Sequence, residues 1–375
     1  MKVHQYEITD LKEVHLTSNN KADLVLVFGS KLLLQDDTVI HKISQAYTKA
    51  TIAYCSSAGE IYNDEVRDNT ISMVAVEFAS VTLKSNAIKI DDFTDSFEAG
   101  KALVSGFDQS GLKYILILSD GSKVNGSELV KGMISVIPEE IPITGGLAGD
   151  GATFVSTLTG LNEKPLSGRV LAIGFYGEHL KVSHGSMGGW ETFGLEKTVT
   201  KSQANELCEI DNKSALEMYK EYLGKYAAEL PGSALLFPLA VRINDEEDAV
   251  VRTILSINNE KNSMIFAGDV PVGSKVRFMK ANFDRLIDAA STAAKSTLVE
   301  LHNSKPQLAL LISCVGRKLI LGNRIDEEVE AIKDIFQEGT VLTGFYSYGE
   351  ISPMNPGAAC KLHNQTMTIT CLEES

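Results

Sequence analysis

Four acids stand directly after a glycine where apolar runs end: Gly59-Glu60, Gly149-Asp150, Gly268-Asp269 and Gly349-Glu350. Glycine lets a backbone approach a ligand closely and take positive φ. In open α/β sheets, ligands bind beyond the carboxyl ends of strands. A carboxylate placed there binds an amine or accepts hydrogen bonds from a ligand. The local alternative is that each acid caps a helix or a loop amide. Recurrence of the pattern favours convergence on one pocket, because parallel units point their strand ends alike. Tyr346 and Tyr348 alternate ahead of Glu350, so in an extended segment they face opposite sides and one of them lines a pocket. Ser57 and Cys314, also at the ends of apolar runs, complete the candidate ligand-binding set.

Other chemistries find less support. Cys55 and Cys314 each end an apolar run; a nucleophilic thiol needs a nearby base to lower its pKa, and no histidine stands at a motif-like spacing from either. Both read more simply as small buried apolar groups. His184, in "HGSMGGW", could ligate haem iron or bond a polar ligand; its plainer reading is a loop histidine bonded to backbone. The chain has no C-x-x-C, H-E-x-x-H or H-x-H, which argues against a zinc site. "GGLAGDG" lacks the Lys-Ser/Thr of a P-loop, and "ATFVSTL" after it reads as a strand rather than a helix.

The elements that would position these groups repeat. "ADLVLVFGSK", "LKYILILSDGSK" and "LALLISCVGRK" each begin with a continuous apolar run and end in glycine plus a basic residue. Such runs read as strands buried on both faces. Helical spacing follows each: Val39, Ile40, Ile43 and Tyr47; Val130, Met133, Ile134 and Ile137; Val329, Ile332 and Phe336 after an Asp326 suited to an N-cap. Each segment then closes on a second strand and a glycine-acid pair, at about the length of a βαβ crossover. "ALLFPLAV", "AVVRTILSI", "SMIFAGDV" and "SKVRFMKA" read as successive antiparallel strands, the stretch from Asn282 to about His302 as a long helix, and "HNQTMTITCL" as a terminal strand. The predicted fold class is α/β: repeated βαβ units forming buried mixed sheets, with an additional antiparallel β-rich portion in the C-terminal half. Pro231 after the helix at 212–230 suggests a boundary near Gly224–Leu230, dividing the chain into 1–225 and 226–375.

The 375 residues carry a net charge of −14, which speaks against nucleic acid or anionic membrane as a non-specific partner. No apolar run approaches the roughly 20 residues of a membrane helix. Five scattered cysteines and the absence of a signal-peptide core predict a cytoplasmic protein with reduced thiols.

Taken in order, "CSSAGEI", "SDGSKVNGSELVKG", "GGLAGDGATF", "HGSMGGW", "FAGDV", "NFDRLIDAA", "LISCVGRK", "GFYSYGEISP" and "HNQTMTI" resemble the FIST family of signal-transduction sensors, from about Asp23 to Leu372. The resemblance implies two modules, FIST N-terminal and FIST C-terminal, in a stand-alone bacterial-type sensor. It implies binding of a small polar metabolite, amino acids being proposed, rather than catalysis. It also implies, as an alternative, haem binding and nitric-oxide or redox sensing, with a histidine kinase or a cyclic-dinucleotide enzyme as the partner. No kinase, cyclase or F-box segment is visible in the chain, so signalling would pass through a separate protein. The family supplies no binding residues to carry over.

Overall fold

The computed structural model describes residues 1–9, 16, 19–230, 232–244, 249–354 and 357–375. The three repeated segments are three βαβ units. Leu24–Gly29 pairs in parallel with Thr51–Ser56, Leu112–Ser119 with Ile143–Leu147, and Leu308–Cys314 with Val341–Ser347. Among the described residues every other pairing between strands is antiparallel. Beside the first strand of each unit runs an antiparallel return strand: Ile71–Glu77, Arg169–Tyr176 and Met367–Glu374 respectively. The expected terminal strand is the last of these.

The open side of each second parallel strand is covered by a strand from a different unit. Glu60–Tyr62, following the first unit, pairs with Val341–Ser347 of the third. Gly349–Pro353, following the third, pairs with Ile143–Leu147 of the second. Thr159–Leu161, following the second, pairs with Thr51–Ser56 of the first. The exchange closes into a ring, and no unit leaves that edge bare.

The apolar runs are continuous because both faces are covered. Inward, Phe28 and Val74, Tyr114 and Phe175, and Ile312 and Phe345 share one core, with the rings of Phe28 and Phe345 stacked 4.9 Å apart. Outward, each sheet carries its own helices: Asp37–Ala46; Ser96–Val104 and Gly126–Ile134; Phe283–Glu300 and Ile325–Phe336. The predicted helical faces at Val39, Ile40, Ile43 and Tyr47, and at Val329, Ile332 and Phe336, are buried. Ile134, expected on the buried face, is instead partly exposed.

The antiparallel portion is an eight-stranded sheet that begins at Glu191 and ends at Lys280. It encloses a separate core around Leu216, Tyr219, Phe266 and Phe278.

Some local expectations need correction. "ATFVSTL" is not a strand: the chain turns irregularly through it, with Phe154 at φ 54°, and only Thr159–Leu161 is extended. Asp326 is not an N-cap; its helix starts at Ile325, and its carboxylate accepts the Val66 amide at 2.8 Å. "ALLFPLAV" opens as a 3₁₀ turn, Gly232–Leu236, and the strand starts at Leu239, after Pro238. Proline has no N–H to give a ladder and suits a strand's beginning. His184 lies not in a loop but in the strand Leu180–Met187, opposite Thr370.

Candidate functional site

Glu60 and Glu350 occupy equivalent places. Each sits at the start of an exchanged strand, opposite Phe345 and Gly146 respectively. Each is buried, at 1% and 0% exposure. Glu60 accepts hydrogen bonds from the Ser57 hydroxyl and from the Thr70 amide and hydroxyl, the latter two at 3.0 and 2.9 Å. Glu350 accepts from the Ser347 hydroxyl at 2.6 Å and from the Thr366 amide and hydroxyl at 3.1 and 2.9 Å. Burial pushes their pKa values up, to about 7 for Glu60 and about 8 for Glu350, against the opposing pull of these bonds. Both acids tie the end of a parallel pair to the segment leading into its return strand.

The third copy breaks the pattern. Opposite Tyr54, in the place that matches Glu60 and Glu350, stands Gly160. Asp150 lies ten residues earlier, in the turn that leads to it. Burial disfavours its charge, but bonds from the Tyr348 hydroxyl and the amides of Ser156 and Val155 hold its pKa below the ordinary carboxylate range. The Tyr348 oxygen also accepts the amides of Asp150 and Phe154, both at 3.1 Å. The ring of Phe154 stacks on that of Tyr348, 4.6 Å away.

Tyr348 and Phe154 form one wall of a cleft of about 360 Å³. Opposite them, the turn after Leu112–Ser119 presents Ser122, Lys123 and Asn125, and the antiparallel sheet presents Gly268 and Asp269. Asn125 caps the helix Gly126–Ile134 with its carbonyl oxygen, and its amide nitrogen donates to Asp269 at 3.2 Å. The Asp269 carboxylate lies 3.9 Å from Lys131. Lys123 is half-exposed, 3.6 Å from Asp91. Gly121 is required beneath: a Cβ there would fall 2.1 Å from the carbonyl oxygen of Ala148.

The other two units use the matching lysine differently. Lys31 reaches across to the next unit, bonding the Ser156 hydroxyl and lying 3.7 Å from Asp150. Lys318 donates to the Ala58 carbonyl at 2.9 Å and pairs with Asp68. Lys123, the third, faces the cleft.

Of the candidate residues, Asp269 and Tyr348 therefore line one cleft, with Asp150 braced behind Tyr348. Glu60, Glu350 and Ser57 do not line it. Tyr346 is fully buried, its hydroxyl donating to Glu328 at 3.0 Å. Arg317, which stands in the third unit where Ser30 and Ser122 stand in the others, forms a buried ion pair with the same Glu328. Cys55 and Cys314 are buried, and burial pushes both thiols well up, so neither offers a thiolate. His184 is 5% exposed; its amide donates to Glu300 at 2.8 Å, and its Nδ1 has no partner among the described residues. Burial lowers its pKa, with Glu300 pulling the other way. Among the described residues no group of three or more His, Cys, Asp or Glu is placed to hold a metal ion.

Sequence reasoning missed Lys123, Asn125 and Phe154. The repeated Gly-x-Lys carried the signal for Lys123, but that one copy in three stands free of the inter-unit bond shows only in three dimensions. Nothing in the sequence marked Phe154, because its placement depends on the irregular turn.

The FIST N domain model matches residues 23–213 and the FIST C domain model matches residues 215–353. No curated protein matches the chain. Among solved structures it is similar to a cyanuric acid hydrolase from A. caulinodans, at 8% identity over 78% of this chain and 99% of that one. The TM-score is 0.18, and a likeness at that level carries no argument.

Proposed function

Because the chain belongs to the FIST family, whose domains are associated with signal transduction and small-ligand sensing, we propose that it is a sensor for a free amino acid or a close zwitterionic relative. The observation that carries this reading is the pairing of Lys123 and Asp269 on one cleft. A cation and an anion held apart by a small cavity suit a ligand with a carboxylate and an ammonium. The Tyr348 and Phe154 rings provide an apolar wall for its side chain.

Lys123 and Asn125 fall in the segment matched by the N model, Asp269 and Tyr348 in that matched by the C model. A ligand gripping both would bias their relative arrangement, which a separate partner could read. By family resemblance that partner is a histidine kinase or a cyclic-dinucleotide enzyme. No helix among the described residues is long and apolar enough to cross a membrane.

Haem fits less well. His184 offers an unpartnered ring nitrogen, but the cleft beside it is about 320 Å³ and is lined by Glu139, Glu140, Glu300 and Lys113. A porphyrin asks for a larger apolar slot.

Thermal-shift and calorimetric screening against the free amino acids tests the proposal. At least one should stabilise the protein, and Lys123→Ala and Asp269→Asn should each abolish the shift. Absence of any response in protein shown by mass spectrometry to be ligand-free overturns it.

A further inference from the structure

The largest of the cavities described in this molecule, about 670 Å³, shares no lining residue with the cleft above. Its walls come from the helix Gly126–Ile134, from Val241 and Val250 of the antiparallel sheet, and from the strand Cys360–His363. Val130, Ile134, Val241, Val250 and Leu362 make it chiefly apolar.

Five polar side chains interrupt that lining, Lys131 and Lys361 among them, and the other three, Arg252, Ser127 and His363, are short of partners among the described residues. Arg252 is 5% exposed and has no carboxylate in ion-pair contact among the described residues. Its bonds go to backbone carbonyls: Nε to Asp269 at 3.2 Å, Nη1 to Leu362 at 3.0 Å and to Val251 at 3.5 Å. A buried guanidinium without a carboxylate is costly. Burial lowers its pKa to about 10, opposed by Asp269, so the group stays cationic near neutrality. Ser127, beside the guanidinium, has a buried hydroxyl with no partner among the described residues. His363 is 1% exposed; its Nε2 lies 2.9 Å from the Ser352 carbonyl and donates to it. Its Nδ1 is then a lone-pair acceptor, and it too has no partner among the described residues.

We infer that this cavity is a second ligand site, built for a small apolar acid that also carries a hydroxyl, such as a medium-chain hydroxy acid. Arg252 and Ser127 donate to the carboxylate, His363 Nδ1 accepts the ligand hydroxyl, and the aliphatic body lies on Val130, Ile134 and Val250. This chemistry differs from that of the zwitterion cleft. The large aliphatic wall rejects a small polar amino acid, and the cation lacks a facing carboxylate for an ammonium. The inference does not depend on what the first cleft binds.

Isothermal titration of the full chain with 3-hydroxyoctanoate, octanoate and octylamine is the test. The hydroxy acid should bind saturably at one site, about tenfold tighter than octanoate, the value of one hydrogen bond; octylamine should not bind. Ala359→Trp, which fills the cavity without touching its charge, should abolish binding while leaving the thermal midpoint near that of the parent. Arg252→Lys should weaken the acid by at least tenfold. Failure of both acids to bind, binding of octylamine as tight as that of the acids, or an Ala359→Trp variant that binds normally would each overturn the assignment. Equal affinity for the two acids would remove the hydroxyl and the role of His363 from it.

Discussion

The junction between the third and first units and the junction between the second and third are built from the same parts, yet one is sealed and the other open. At the sealed junction Lys318 bonds Ala58 and Asp68 across the boundary, and Glu60 is locked by Ser57 and Thr70. At the open one Glu350 is locked in the same way by Ser347 and Thr366, but the lysine, Lys123, faces a cleft instead of the neighbouring loop. A repeated scaffold thus supplies the rigidity, and the cleft proposed as the ligand site lies where one copy withholds a single bond. Asymmetry of this kind needs no new element, only an unused one.

The comparison can be broken hardest at the locks. Glu350→Ala leaves the Thr366 amide and two hydroxyls unpaired in a buried site, and should cost about 3 kcal/mol or more in urea unfolding. Equal stability to the parent would show that the lock is ornamental.

The locks also predict a pH dependence. Their folded pKa values, about 7 and about 8, lie above the unfolded value near 4.3. The native state then holds more protons than the unfolded state across that interval, so stability is fully present below about pH 4.3 and falls as pH rises. The loss through Glu60 ends near pH 7 and that through Glu350 near pH 8. The double variant Glu60→Gln, Glu350→Gln should flatten the slope measured by chemical denaturation between pH 5 and 8. An unchanged slope would place the titration elsewhere.

A smaller effect separates the two lysines. Lys318→Ala should destabilise by roughly 1–2 kcal/mol, because the Ala58 carbonyl and Asp68 lose a charged donor. Lys123→Ala, whose side-chain amine has among the described residues a half-exposed ion pair with Asp91 as its one polar contact, should change stability by less than about 0.5 kcal/mol while removing the amino-acid response. Comparable losses from both would erase the distinction between sealed and open junctions.

Tyr348→Phe is expected at about 1 kcal/mol, between the two lysine variants. It should also loosen the turn at 150–156, detectable as faster amide exchange at Val155 and Ser156.

Much of this organisation was legible in the chain. Strands buried on both faces announce themselves as unbroken apolar runs, and the three parallel pairs follow from "ADLVLVFG", "LKYILILS" and "LALLISC". The equivalence of Glu60 and Glu350 could be read from their shared glycine and preceding serine. Asp150 misled because a glycine-acid pair looks the same whether the acid begins the exchanged strand or lies ten residues before it. The cleft itself was not legible, since Tyr348, Lys123 and Asp269 meet only after units far apart in sequence have docked. Neither was the buried demand of Glu328 for Arg317, which makes the residue between Gly316 and Lys318 an internal brace.

The ring of exchanged strands bears on how the polypeptide reaches this state. Glu60–Tyr62 finds its neighbour, Val341–Ser347, only after most of the chain has been made. Until then the first sheet emerges from the ribosome without that closure, and its short connecting strand has only its local hairpin partner, Glu65–Arg67, to lie against. Topologies dominated by such distant pairings fold slowly and expose strand edges while they wait. The units should therefore assemble late and together, in a final concerted step, rather than mature one after another.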